Sequence, residues 1–443
     1  MLTFFSKKIF KLIVLQFLVF NLKAMVFDNR FLPLYFKPFI YQATMPSHFR
    51  IQPLFMRAEK ATGLSDDQIN NGAKINIPDI FGNYDLIAMD DALQLSGRTD
   101  KSLLRPDLQL EGRIPFKRPS RIDAQGIAFY YQQALTNNLQ IGTSFLFLNI
   151  DSRTEFCFSK NVNLPMGDSA EIFNTKAKIH KLLGVTPPLY SQVAFGDLDV
   201  YLRLFLGWDY TCKFRKILAA IKLGMIAPTA TDMVSKNDCA INNPAAIPLG
   251  GYGHWGIYTA LETDFELKED LTASVYFRAI KRFEKSGFYR MPTRANEPLN
   301  YGALIGKFSR DPGWTFVVNP VVTFYGLKDG LGARLMYTGV RHLADNFRDC
   351  RQLPNSIRNN SDVEDAERSR ETNFSIDFER VRDLSKWGME HITVGLFYDF
   401  SYYSVCPKIR PILSLYWDIP INGLFARRSV QTNVVSLAFE MSF

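Results

Sequence analysis

From residue 254 the chain reads HWGIYTALETDFEL. Trp255, Ile257, Thr259, Leu261, Thr263, Phe265 and Leu267 share one parity, and His254, Gly256, Tyr258, Ala260, Glu262, Asp264 and Glu266 share the other. Side chains alternate across an extended strand, so this stretch predicts a strand with one apolar and one polar face. After a turn at 268–270, LTASVYFRAIKRF alternates again, which predicts a β-hairpin. The pattern recurs in GDLDVYLRLFLGW, WTFVVNPVVTFYG, LGARLMYTG, ITVGLFYDF and RPILSLYWDI, and in IAFYYQQAL and LQIGTSFLFL around Asn137-Asn138.

The connections carry a second pattern. Short ones fall near 136–138, 209–211, 268–270, 328–330 and 404–407. Long ones cover 59–120, 152–190, 227–252, 285–312, 343–386 and 420–430. Short and long alternate. With a first strand near 49–58 this gives about 12 strands, with every long loop on one side and both chain ends on the other. The expected fold is all-β: an antiparallel transmembrane β-barrel with short periplasmic turns and long extracellular loops. Segments 108–116 and 373–379 would raise the count to 14 if they pair. Pro53 and Pro320 fall within expected strands, and each removes one ladder donor.

Composition supports strands over helices as the membrane-crossing element. Aromatic residues make up 14% of the 443 and charged residues 22%. A helical span needs about 20 consecutive apolar residues. Only residues 1–24 come near that. Lys7, Lys8 and Lys11 precede an apolar run from Leu12 to Phe20, and Ala24 is a small residue at the end. These are the parts of a signal peptide. The expected organisation is a signal peptide at 1–24 and a single barrel domain at 25–443 carrying the long loops. Losing residues 1–24 lowers the formal charge from +8 to +4, a balance with no nucleic-acid footprint.

The chain ends in NVVSLAFEMSF, with Val435, Leu437, Phe439, Met441 and Phe443 on one parity. In this the chain resembles bacterial outer-membrane β-barrel proteins, a porin-like class, with no specific family matched. Their last strand alternates in the same way and usually ends in Phe, which the barrel assembly machinery recognises. The resemblance implies an outer-membrane location in a Gram-negative-type envelope. It also implies an assembly signal at Phe439, Met441 and Phe443, with outer-membrane lipid and the assembly machinery as partners.

The polar faces point to the function. They carry Asp197, Asp199, Arg203, Lys222, Glu262, Asp264, Glu266, Arg278, Arg282, Arg334, Asp399, Arg410, Asp418 and Glu440. Eight acids against six bases predict a polar lumen without strong charge selectivity. Asp197, Asp199, Arg203, Glu262, Asp264, Arg278, Arg282 and Arg334 are the expected lumen-lining set. The expected function is a channel for passive passage of small hydrophilic solutes or ions. A structural or adhesive barrel is the alternative, followed by a barrel enzyme. Two segments could narrow the lumen: 59–120, and a helix in GDSAEIFNTKAKIHKLLG. In that helix Asp168 and Glu171 form a capping pair, Ile172, Phe173, Lys176, Ile179 and Leu183 form a stripe, and Gly184 marks the end. A rim-capping helix is the other reading. Cys157, Cys239 and Cys350 lie in long loops and Cys212 and Cys406 on the turn side, so each group is either bridged or unpaired. None of the histidines (48, 180, 254, 342, 391) sits in a recognisable Ser–carboxylate motif. No catalytic centre, metal or cofactor is expected.

Overall fold

The computed structural model describes residues 29–443 except 35–36, 41–46, 66–67, 110–112, 159–167, 211–213, 231–238, 294–295, 352–375 and 404–408. The segment read as a signal peptide lies outside the described residues. Twelve strands form the wall: β1 (His48–Ala58), β2 (Ser120–Ala134), β3 (Leu139–Thr154), β4 (Leu189–Phe195, continued as Leu198–Asp209), β5 (Lys216–Ala227), β6 (Gly256–Lys268), β7 (Leu271–Arg282), β8 (Thr315–Lys328), β9 (Leu331–His342), β10 (Trp387–Asp399), β11 (Arg410–Ile421) and β12 (Asn433–Ser442). Each pairs antiparallel with its neighbours in the chain, and β12 pairs with β1. The sheet is therefore closed and has no free edge. At the seam the Phe443 amide donates to the Ser47 carbonyl at 2.9 Å, and the Ser47 amide donates to Phe443 at 3.0 Å.

The alternation places apolar side chains outside. Leu202, Leu206, Leu261, Leu335, Leu396 and Leu415 are each about half exposed. Trp255 and Trp314 stand exposed near the loop end, and Trp208, Tyr402 and Tyr403 near the turn end. An apolar band between aromatic girdles is the surface of a barrel that sits in lipid.

Two local devices keep the wall regular. Pro53 and Pro320 each interrupt pairing on one side only: β1 skips to β12 between Ile51 and Leu54, and β8 skips to β9 between Val318 and Val321. The residue before each proline bridges the gap with its side-chain amide. Gln52 Nε2 donates to Ser436 Oγ at 2.8 Å, and Asn319 Nδ2 to Thr338 Oγ1 at 2.6 Å. Inside, large rings lie over glycines of the next strand. Tyr201 is opposite Gly142 and Gly224, and Tyr258 is opposite Gly224. A Cβ on Gly142 would stand 2.2 Å from Tyr201 Cζ, and one on Gly224 would stand 2.2 Å from Tyr258 Cζ.

The 14-strand variant is not what forms. Pro106–Gln109 is a helical turn, and Phe116–Lys117 pairs only with Cys157–Phe158, outside the barrel. Phe378–Ser385 is a helix, N-capped by Asp377, whose Oδ1 accepts from the Arg380 amide at 2.9 Å. Residues 373–375 lie outside the described residues.

The long loops fold on each other above the rim. Helix α1 (Leu86–Leu95) and helix α2 (Asp168–Leu183) bury Leu86, Met89, Leu93, Ile172, Ile179 and Leu183 in a shared core with Tyr84, Phe116 and Tyr301. Asp85 caps α1 by accepting from the Ile87 amide, and also accepts from the Ile114 amide, both at 3.1 Å. Of the expected α2 stripe, Ile172, Ile179 and Leu183 are buried and Phe173 and Lys176 half-buried, and Gly184 ends the helix with φ +66°. Glu171 pairs with Arg105 at 3.0 Å, while the Asp168 side chain of the expected capping pair lies outside the described residues. This helix caps the rim and does not enter the lumen. Cys157 and Cys350 are free thiols.

Candidate functional site

What fills the barrel is a stretch the sequence patterns did not single out. Residues 29–34 and 37–40, preceding β1, run inside the wall from the loop end to the turn end. At the loop end the Val430 amide donates to Arg30 at 2.9 Å, and Thr432 Oγ1 donates to Phe31 at 2.6 Å. At the turn end the Ile40 amide donates to Glu440 at 2.7 Å, and Tyr325 donates to Ile40 at 2.9 Å. Between them Lys37, fully buried, pairs with Asp418 at 2.9 Å. Arg50 and Arg334 donate to the carbonyls of Lys37 and Pro38. Phe31, Leu32, Leu34 and Phe39 pack in one core with Leu54, Ile122, Leu146, Leu148 and Ile150, which face inward from β1, β2 and β3.

The expected lumen residues lie inside the barrel, but most are paired and buried. Glu262 takes Arg203 Nε at 2.7 Å and also contacts the Lys222 ammonium, while Arg203 NH1 donates to Gln140 at 2.8 Å. Arg278 pairs with Asp199 at 3.3 Å and lies 3.5 Å over the Tyr258 ring. Asp197 sits beside the break in β4, where β4 spends one more residue than β3. It accepts from Arg282 at 3.2 Å and from the Gly251 amide at 2.9 Å, which ties the 228–254 loop into the barrel mouth. Asp264 and Arg334 face a cavity.

Among the described residues the inner segment lines two cavities. The lower, about 270 Å³, opens at the turn end and is lined by Pro38, Phe39, Ile40, Asp264, Thr323 and Arg334 among others. The upper, about 210 Å³, lies at the loop end and is lined by Arg30, Phe31, Phe81, His254, Asn300 and Trp387 among others. The same inner segment contributes to both and stands between them.

Sequence reading missed the inner segment and the His342 cluster. His342 Nδ1 is 2.7 Å from Thr315 Oγ1, and its Nε2 is 2.9 Å from Asp345. The order hydroxyl–imidazole–carboxylate is that of a hydrolase. Here, however, Thr315 is buried in the wall and Asp345 is also paired with Arg310 at 2.6 Å. Arg310 and His342 hold the Asp345 carboxyl well below the usual range against the effect of its burial. The cluster ties the ends of β8 and β9 to the loop that follows. Among the described residues no group of side chains could hold a metal ion.

In the cap, His180 Nε2 is 2.7 Å from Tyr84 Oη. Burial, then Lys176 and Arg118, push its pKa down to about 3. Unfolded, it titrates near 6.5. Between those values the unfolded loop takes up a proton that the folded cap refuses, so stability is full above about 6.5 and falls as pH drops toward 3. At pH 4.5 the cap is expected to lose about 2 kcal/mol, after discounting for its partial exposure. Amide exchange of residues 84–95 and 172–183 should therefore show weaker protection at pH 4.5 than at pH 7, and His180→Gln should remove the difference. Equal protection in the wild type at both pH values would contradict this role.

Comparison with known proteins gives likeness of shape. No protein-family model matches the chain, and no curated protein sequence does. Among solved structures it is similar to the COG4313 outer membrane channel from Pseudomonas putida F1, at 9% identity and a TM-score of 0.47, over 92% of this chain and 100% of that one. It is also similar to the NanC porin, at 10% identity and a TM-score of 0.28, over 74% of this chain and 98% of that one.

Proposed function

We propose that this protein is an outer-membrane channel for small solutes or ions, held shut by the inner segment at 29–40. The observation that carries this is the shared lining: one stretch of chain touches both cavities and fills the space between them. None of the wall's strand pairing runs through it: the twelve strands close on one another. Paired charges of both signs line the path that its displacement would open, so selectivity by charge is weak. The outer-membrane location rests on the apolar outer band, the closed sheet and the basic, apolar start of the sequence.

Planar-bilayer recording tests this. The protein lacking residues 29–40 is expected to give clear conductance steps, and the intact protein rare or much smaller ones. Heat-shifted gel mobility confirms that both are folded. Silence from the folded deletion variant would overturn the channel reading. It would favour a structural or adhesive barrel, for which the ordered cap provides an exposed surface.

A further inference from the structure

The upper cavity, at about 210 Å³, is many times the roughly 10–15 Å³ that one water needs. Its wall includes Phe31, Phe81, Phe288, Met291 and Leu299. Four arginines also border it: Arg30, Arg282, Arg290 and Arg310. Arg282 is paired with Asp197, and Arg310 with Asp345. Arg290 spends its donors on the carbonyls of Ile241, Gly302 and Leu183 and on Asn242 Oδ1.

Arg30 differs. It is half-buried, donates to the Leu384 carbonyl at 3.1 Å and lies 4.3 Å over the Phe81 ring. Among the described residues it has no carboxylate partner. A guanidinium drawn out of water without an anion is costly, and an anion beside it offsets that cost. Two acceptors at the same cavity are also open. His254 Nδ1 donates to the Phe283 carbonyl at 2.7 Å, which leaves Nε2 as a lone pair. That Nε2 and Asn300 Oδ1 are both buried without a hydrogen-bond partner among the described residues. Burial, reinforced by Arg310 and Arg282, holds the His254 imidazole neutral, with its pKa lowered to about 4.

We infer that the upper cavity binds a small organic carboxylate with an apolar, ring-sized body. The carboxylate takes the planar fork of Arg30, which matches it in two parallel hydrogen bonds. The body lies among Phe31, Phe81, Phe288 and Leu299. A donor on the ligand, directly or through water, satisfies His254 Nε2. A mostly apolar wall with a few placed polar groups is the usual make-up of such a site. One guanidinium without a carboxylate partner among the described residues matches one negative charge, and the apolar wall disfavours a phosphate dianion. Because Arg30 belongs to the inner segment, occupancy acts on the element that closes the barrel. That consequence rests on the channel reading, whereas the binding does not.

The test titrates the full-length protein in detergent with 4-phenylbutyrate and, separately, with 4-phenylbutan-1-ol. The readout is fluorescence of Trp387, which lines the cavity, with Trp387→Phe identifying its signal. The acid is expected to quench saturably and the alcohol to bind at least about tenfold more weakly, the loss expected for one charge-assisted pair. Arg30→Gln should weaken the acid by a similar factor and leave the alcohol unchanged, and Arg30→Lys should fall between. Equal binding of acid and alcohol, unchanged affinity in folded Arg30→Gln, or no saturable quenching would each overturn the inference. Failure here alongside conductance in the deletion variant removes the ligand and leaves the channel. Binding without conductance removes the channel and leaves the ligand.

Discussion

Replacing Glu262 with glutamine is expected to prevent most of the protein from reaching the folded barrel. The carboxylate serves two buried cations, Lys222 on the adjacent strand β5 and Arg203 on β4 beyond it. Removing one partner of a buried ion pair costs about 3–5 kcal/mol, because the surviving charge stays out of water. Here two charges survive. A typical domain has only about 5–15 kcal/mol in hand. The measurement is the fraction of membrane-inserted protein that runs as the compact, heat-sensitive band, together with the urea midpoint of that band. Adding Lys222→Met removes one stranded cation and should recover part of the loss. A Glu262→Gln protein with the wild-type midpoint would mean that the central network does not hold the wall together.

The second large effect is expected from a single methyl group. Gly224 sits against the Tyr258 ring, and the Arg278 guanidinium stacks on that ring at 3.5 Å. Moving the ring would disturb that guanidinium, which also pairs with Asp199 at 3.3 Å. Overpacking of this kind costs about 1–3 kcal/mol, and a clash with a buried ring stacked on a paired guanidinium belongs at the upper end. Gly224→Ala is expected to destabilise the barrel by about 3 kcal/mol in urea. Tyr258→Leu opens the space, so the double variant should be more stable than the sum of the two singles predicts. Strict additivity would show that the ring moves freely.

The wall was legible because a strand facing lipid and a polar interior has to alternate. The six residues from Leu202 to Gly207 and the final strand give the same reading by sequence and by structure. The alternation of short and long connections then sets the count. The inner segment was not legible, because it has no period of its own and borrows its partners from the wall. Its trace was nonetheless present. In FLFLNI, Phe145 and Phe147 face out while Leu146, Leu148 and Ile150 face in, so β3 is apolar on both sides. Leu54 and Met56 add to that inward patch. An apolar stripe inside a polar barrel requires something to cover it. The ion pairs were half legible: parity placed Asp199, Arg203, Glu262 and Arg278 inside, but their pairing depends on register across four strands, β4 to β7. The upper cavity was out of reach because its walls come from segments spread between Asn29 and Trp387, with no shared spacing.

The seam carries one more consequence. Ser47 closes against Phe443, so every hydrogen bond that makes the wall a cylinder lies at or after residue 47. The inner segment is joined to that cylinder by one covalent tether and otherwise by side chains and scattered carbonyls. Cut at the tether, stopper and cylinder would be two molecules with a dissociation constant between them. A synthetic peptide spanning 25–46 could then be added back to a barrel that begins at Ser47, and closure could be titrated like any other ligand.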